Sequence, residues 1–236
     1  MIRSKVLDMN DLIRNDFTKA NNIFCAHFGN NWPEVPLRRW EYCAAAIFSG
    51  VITSPAIALD AGCGSSIFPK FLNRIGCEVY AIDPTISSND AEGVHYRKRS
   101  MTDIGVFDGY FDYVFAISSI EHVNAGKFAI KGMPFDTGDT DAMLELCRVL
   151  KPGGALVLTT DYADRYHVPP GLWPSGSHRI YDFKSIAQRL TGPAHSQYGM
   201  AFNGEVSLDL DGIDLKQLEP VGYDYTAAIL TLQRPK

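Results

Sequence analysis

The chain has 236 residues, 46% hydrophobic and 21% charged, a globular composition long enough to bury a sizeable core without a disulfide or metal staple. Its net charge of −5 supplies no general attraction for nucleic acid, and the basic cluster Arg97-Lys98-Arg99 reads as a solvated edge. The cysteines Cys25, Cys43, Cys63, Cys77 and Cys147 are odd in number and show no C-x-x-C spacing, so they are expected as reduced thiols, with no metal site.

The first residues are polar and lack an apolar signal core, and no stretch reaches the roughly 18 apolar residues of a membrane helix. A cytoplasmic protein with no membrane partner is expected. Residues 1–50 read as a helical N-terminal cap with a break at Asn30-Asn31-Trp32-Pro33, and residues 51–236 as one α/β domain.

From Pro55 short apolar runs appear, each closed by Gly, Asp or Pro and followed by a helical pattern. They are Ala56–Asp60, Glu78–Asp83, Val94–Tyr96, Phe111–Ile117 and Ala155–Thr160. Runs apolar throughout suit strands covered on both faces, which predicts a doubly wound, mostly parallel sheet. Crossover helices are predicted over Phe68–Ile75, Ser119–Ile130, Asp139–Leu150 and Asp182–Leu190, the last with Asp182 as N-cap. Two longer strands, His195–Phe202 and Tyr223–Gln233, are predicted to end the chain, joined by an acidic loop.

The segment Leu59-Asp60-Ala61-Gly62-Cys63-Gly64-Ser65-Ser66 follows the first buried strand and precedes a helix. Glycines there let the backbone approach a ligand, and the helix start offers unpaired N–H groups. Asp60 ends that strand, and Asp83 ends the next, followed by Pro84. A carboxylate at the tip of the second strand can accept both hydroxyl hydrogens of a ribose.

Asp60-Ala61-Gly62-Cys63-Gly64 resembles the first motif of class I S-adenosylmethionine-dependent methyltransferases, and Val79–Asp83 their second. Ser100-Met101-Thr102-Asp103 is similar to the family's acidic loop after the third strand. Phe111–Val123 resembles the fourth-strand segment of the small-molecule, type 11-like subgroup, and Leu150–Leu156 the turn and strand that follow. The resemblance covers residues 55–161 and departs at Ser66, where the family's first motif has its third glycine.

It implies a seven-stranded Rossmann-like methyltransferase fold with S-adenosylmethionine as cofactor. Asp60, Gly62, Cys63 and Gly64 would then line the methionine part, Asp83 would hold the ribose and Pro84 would pack near the adenine. Thr102 and Asp103 would lie at the adenine amino group, and the backbone near Ile117 and Ser118 by the methionine amine.

An oxygen acceptor calls for a general base, and the candidates at strand ends are His122, His167 or His178, and Asp161. Glu121 reads as a helix-start charge. The aromatic, Pro-rich segment Tyr162–Tyr181 reads as an ordered loop over the sheet or as a surface connection. The stretch 32–42, with Trp40, Tyr42, Arg38 and Arg39, either covers the cofactor's carboxylate end and an acceptor or packs as a helical cap.

The expected activity is methyl transfer to an oxygen of a small hydroxylated or sugar-containing metabolite. The competing readings are a cofactor-binding protein without transfer activity and a nicotinamide or flavin dinucleotide enzyme, which expects a third glycine. Nucleic-acid methylation is disfavoured because Ile117-Ser118-Ser119-Ile120 stands where base-directed enzymes carry an Asn-Pro-Pro-Tyr type of motif.

Overall fold

The computed structural model describes residues 2–6, 15–30, 36–129, 135–169, 178–208 and 226–236. Among these residues ten strands form one sheet: β1 (Ile2–Val6), β2 (Ile57–Ala61), β3 (Glu78–Ile82), β4 (Asn89–Ala91), β5 (Val94–Arg97), β6 (Phe111–Ile117), β7 (Leu150–Tyr162), β8 (Ala201–Phe202), β9 (Glu205–Ser207) and β10 (Thr226–Gln233). Their order is β4-β5-β3-β2-β6-β7-β10-β1-β9, with β8 on β10. Strands β5, β3, β2, β6 and β7 run parallel, while β10 is antiparallel to β7. The chain starts the parallel series at β2 and winds outward to both sides, so the C-terminal ends of β2 and β6 border a topological switch point.

Alternate residues of each central strand feed two cores. Leu59, Val114, Ala116, Leu156, Leu158 and Leu230 pack under α4 (Gly138–Val149) and the later helices. Ala58, Val79, Phe115, Val157 and Ile229 face the other way, toward α1 (Asn15–Phe28), α2 (Pro36–Ser49) and α3 (Phe68–Arg74). Burial on both faces explains why the strands are apolar throughout.

The N-terminal helices share that second core. Phe24 stacks on Phe71 with ring centroids 3.6 Å apart, and Trp40, fully buried, stacks on Phe17. Burying side chains of this size contributes roughly 1.5–3 kcal/mol each, so α1 and α2 are integral to the sheet's packing. The first 50 residues are also not all helical, because β1 pairs with β10 through Lys5 and Val6.

The strand count exceeds the expected seven because β1, β4 and β9 extend the two edges of the sheet. The predicted helix after β6 is two short 3₁₀ turns instead, Ile120–His122 and Gly126–Phe128. Ser118 and Asn124 adopt left-handed conformations, φ 42° and 55°, which break helical continuity on both sides of the first turn. Ile130 lies outside the described residues.

Asp182 caps the last helical stretch as expected, accepting from the Ser185 amide at 2.7 Å within a reciprocal capping box. That stretch runs through α5 (Phe183–Ser185), a π-helical Ile186–Thr191 and α6 (Gly192–Tyr198). The predicted strand from His195 is therefore helical up to Tyr198, and Gly199 at φ 66° ends it and leaves only Ala201–Phe202 as strand. Residues 209–225, holding most of the acidic loop and the first residues of the last predicted strand, lie outside the described residues, as do 170–177 of the aromatic loop.

Candidate active site

The chain leaves β2 through a turn in which the Gly62 and Cys63 amides both donate to the Ile82 carbonyl, at 2.8 and 3.0 Å. Gly62 sits at φ 76°, and a Cβ there would fall 2.6 Å from Ser119 Cβ and closer still to Met101 Cε. The position admits only glycine. The Gly64 amide donates to Asp83 Oδ2 at 3.0 Å, while Asp83 Oδ1 accepts from the Thr85 amide at 2.7 Å and the Thr85 hydroxyl at 2.5 Å. The carboxylate at the tip of β3 is thus fixed in orientation, and its Oδ2 keeps capacity for a further donor.

Two adjoining cavities of about 600 and 180 Å³ share Gly62, Gly64 and Ser118. Asp83, Pro84, Ser100, Met101 and His122 line the smaller. Asp60, Cys63, Ser66, Arg38 and Tyr42 line the larger. Asp60 is buried, and its Oδ2 has no hydrogen-bond partner among the described residues. Burial pushes its pKa up to about 7, with Arg38 opposing the rise and Asp83 adding to it.

Helix α2 lies across the ends of β6 and β7. Glu41, fully buried, accepts from the hydroxyls of Ser118 and, at 2.6 Å, Thr159. It also pairs with Arg38 at 2.8 Å, which aims that guanidinium at the larger cavity. The Ser118 amide is held by the Thr159 carbonyl and hydroxyl at 3.1 and 3.0 Å. The Tyr42 hydroxyl meets Ser66 Oγ at 2.7 Å, and Ser66 Oγ accepts from the Phe68 amide at 3.0 Å. Serine in place of a third glycine therefore ties α2 to the start of α3. Trp40 and Tyr42 both pack in the core, and of the two Tyr42 also lines the larger cavity.

Behind the smaller cavity lies a cluster of titratable groups. His122 Nε2 is 3.9 Å from Glu121 Oε1, and Thr160 donates to Glu121 Oε2 at 3.1 Å. Glu121 stands in the first turn of its 3₁₀ helix, as expected, but is buried; burial, then the Asp161 charge, push its pKa well above the usual carboxylate range. His178 Nε2 lies 3.0 Å from Asp161 Oδ2, and the His122 and His178 rings are 5.2 Å apart.

Three of the expected site residues are placed elsewhere. Asp103 has a side chain 75% exposed and 3.5 Å from Arg99, because the chain turns out to solvent past the cavity-lining Ser100 and Met101. Thr102 supports Ser100, hydroxyl to hydroxyl at 2.8 Å, but does not line the cavity. His167 is part of a backbone bridge to Ile180, and its Nδ1 lies 3.0 Å from the Arg165 carbonyl, away from His122. Glu41 was not anticipated; the only sequence signal for it was its place in the charged, aromatic stretch before the domain.

The geometry fits an adenosyl cofactor: a glycine cradle that a Cβ would fill, an oriented carboxylate at the next strand tip, and a buried orphaned Asp60 oxygen beside Arg38. Residues 59–158 match the family described as a methyltransferase domain. A ubiquinone biosynthesis O-methyltransferase of Xanthomonas oryzae pv. oryzae is 30% identical over 199 residues, 69% of this chain and 73% of that protein. The chain belongs to the class I S-adenosylmethionine-dependent methyltransferases. The fold is similar to that of the 1,6-didemethyltoxoflavin-N1-methyltransferase of Burkholderia thailandensis, with TM-score 0.62, 13% identity, and coverage of 98% of this chain and 92% of that one. It is also similar to the N-methyltransferase NodS of Bradyrhizobium japonicum, with TM-score 0.55, 12% identity, and coverage of 94% and 100%. Among the described residues no helix is long and apolar enough to cross a membrane, and no group of three or more His, Cys, Asp or Glu side chains could hold a metal ion.

Proposed function

We propose that this methyltransferase acts on a hydroxyl oxygen of a small hydroxylated molecule, a class that includes sugar-containing metabolites, with His122 as general base. The observation that carries this reading is His122 on the wall of the cavity that also holds Asp83 and Gly62, with the Glu121 carboxyl 3.9 Å behind it. The O-methyltransferase name of the Xanthomonas relatives supports oxygen as the methylated atom.

The cofactor supplies an electrophilic methyl group on a sulfonium. The chain's residues orient and deprotonate. Asp83 would take the ribose hydroxyls through the remaining capacity of Oδ2, Pro84 and Met101 would border the adenine, and Arg38 would face the carboxylate end from the larger cavity. Asp60 and the Gly62–Gly64 turn line the methionine part. With the cofactor bound, His122 would accept the acceptor's hydroxyl proton as the methyl group passes from the sulfonium to the oxygen, leaving a methyl ether, S-adenosylhomocysteine and an imidazolium beside the Glu121 carboxyl. Holding the nucleophile in line with the methyl group supplies most of the acceleration, and the base adds roughly 10²–10⁴-fold.

A screen with methyl-labelled cofactor over polyols, sugars, phenols and catechols, with amines and nucleic acid as comparison arms, tests the proposal. O-methylation of a hydroxylated compound, falling about 100-fold or more in His122→Ala with cofactor affinity intact, is the expected result. Transfer confined to amines, DNA, RNA or protein would overturn it.

A further inference from the structure

The cavity wall does not stand on its own sequence neighbours. Residues 178–181 run back along it from the far side of the aromatic loop and fasten to both strand ends. The Arg179 amide donates to the Glu121 carbonyl at 3.1 Å, and its guanidinium donates to the carbonyls of Glu121 and Val123 at 3.2 and 2.8 Å. The Tyr181 amide donates to the Asp161 carbonyl at 2.9 Å. Arg179 Nε faces Asp139 at 3.5 Å, and Asp139 also accepts from Tyr181 Oη at 2.8 Å and Arg189 Nε at 2.7 Å. The 3₁₀ turn bearing His122 is therefore clamped through its carbonyls by a fully buried arginine anchored on α4.

This clamp fixes His178, fully buried, between Asp161 at 3.0 Å and the His122 ring, centroids 5.2 Å apart and planes at 43°. We propose that His178 is a positioning residue of the transfer site, orienting His122 and linking it to the Asp161 carboxylate. The proposal rests on reading His122 as the base. A proton taken up by His122 would then meet an ordered acidic surround, not a hydrophobic wall. His178 itself never touches the acceptor.

The groups facing this pair come from every neighbouring element. Glu121 comes from the turn after β6 and Asp161 from β7. Glu41 and Arg38 on α2 lie within electrostatic reach of Glu121, and Arg38 also of Asp161. Arg179 lies on the same segment as His178, with Asp139 of α4 behind it. Glu121 and Asp161 thus flank the two imidazoles, with Glu41 and the guanidiniums of Arg38 and Arg179 close to those carboxyl groups, and removing one anion lowers the affinity of a neighbouring imidazole for a proton.

NMR titration of the histidine side chains, on the full chain with S-adenosylhomocysteine, reads this without an acceptor and without turnover. Asp161→Asn is expected to lower the midpoint of the His122 titration by about half a pH unit or more, through loss of one neighbouring charge. In a His178→Gln background the same Asp161→Asn change is expected to move His122 little, because the link is gone. An equal shift with and without His178 would show that Asp161 acts through space and His178 only packs. No shift in either background would also overturn the proposal. If His178→Gln does not fold, His178→Phe, which keeps an aromatic ring but no ring nitrogen, supplies the background and the same two outcomes at His122 decide. Near-parent turnover in His122→Ala while these shifts appear would instead refute His122 as base and leave the linkage standing.

Discussion

Tyr42 and Ser66, on α2 and just before α3, meet hydroxyl to hydroxyl at 2.7 Å over the mouth of the larger cavity. The contact joins the N-terminal helices to the glycine turn at the one position where the family's first motif is broken. Ser66→Gly would restore the family's glycine yet remove two hydrogen bonds, one to Tyr42 and one from the Phe68 amide. We expect a loss of about 1–3 kcal/mol in urea unfolding, against about 1 kcal/mol for Tyr42→Phe. A Ser66→Gly protein as stable as the parent would mean that the contact contributes nothing.

Gly62 is expected to tolerate no side chain. At φ 76° and with Ser119 Cβ 2.6 Å from the site of an added Cβ, Gly62→Ala forces the turn away from β3 or the Met101 and Ser119 side chains out of the cavity. We expect destabilisation of about 2 kcal/mol or more together with at least tenfold weaker cofactor binding. Thermal melting and calorimetry check the two effects separately; parent-like values in both would contradict this description of the turn.

The stability of the parent is expected to fall between about pH 4 and pH 7 through Asp60. Burial raises its folded pKa to about 7 from the ordinary 3.8, so the folded protein holds that proton more tightly than the unfolded chain does. Its stabilising contribution is complete below pH 4, declines across the window and is lost above pH 7. In Asp60→Asn this contribution is absent, so the melting temperature of the variant should vary less across that range. Identical pH profiles for parent and variant would exclude Asp60 as the titrating group.

Asp103→Asn is expected to change cofactor affinity by less than about twofold, since an exposed charge paired at 3.5 Å with Arg99 contributes little. Ser100, which lines the cavity, is the more sensitive position in the same loop. Calorimetry showing a tenfold loss for Asp103→Asn would place its carboxylate at the ligand after all.

These positions also mark what the sequence discloses. The strands after Pro55, the glycine turn and the Asp83 tip were legible because each is a local pattern: an apolar run ended by Gly or Asp, at a spacing set by one strand–helix unit. The capping role of Asp182 is equally local. The facing of Asp103 was not legible because it depends on the turn of its loop, in which Ser100 and Met101 reach the cavity two or three residues earlier. Glu41 was illegible because its partners, Ser118 and Thr159, lie 77 and 118 residues away and only the folded sheet brings them together. The same holds for β1, whose pairing with β10 spans nearly the whole chain. The helix read from Ser119 onward failed on backbone grounds, since Ser118 and Asn124 adopt conformations that side-chain patterning does not encode.

The most direct test of the whole account is calorimetric titration of S-adenosylhomocysteine and of NAD into the parent and into Asp83→Ala. Asp83 is the one carboxylate held at the cavity by the glycine turn itself, through the Gly64 amide at 3.0 Å. Its removal deletes charge-assisted hydrogen bonds to the ribose, which should weaken S-adenosylhomocysteine by about 1.5–3 kcal/mol, roughly 10- to 150-fold, while NAD shows little affinity for either protein. Equal affinity of parent and variant, or a parent that binds NAD and not the adenosyl ligand, would contradict it.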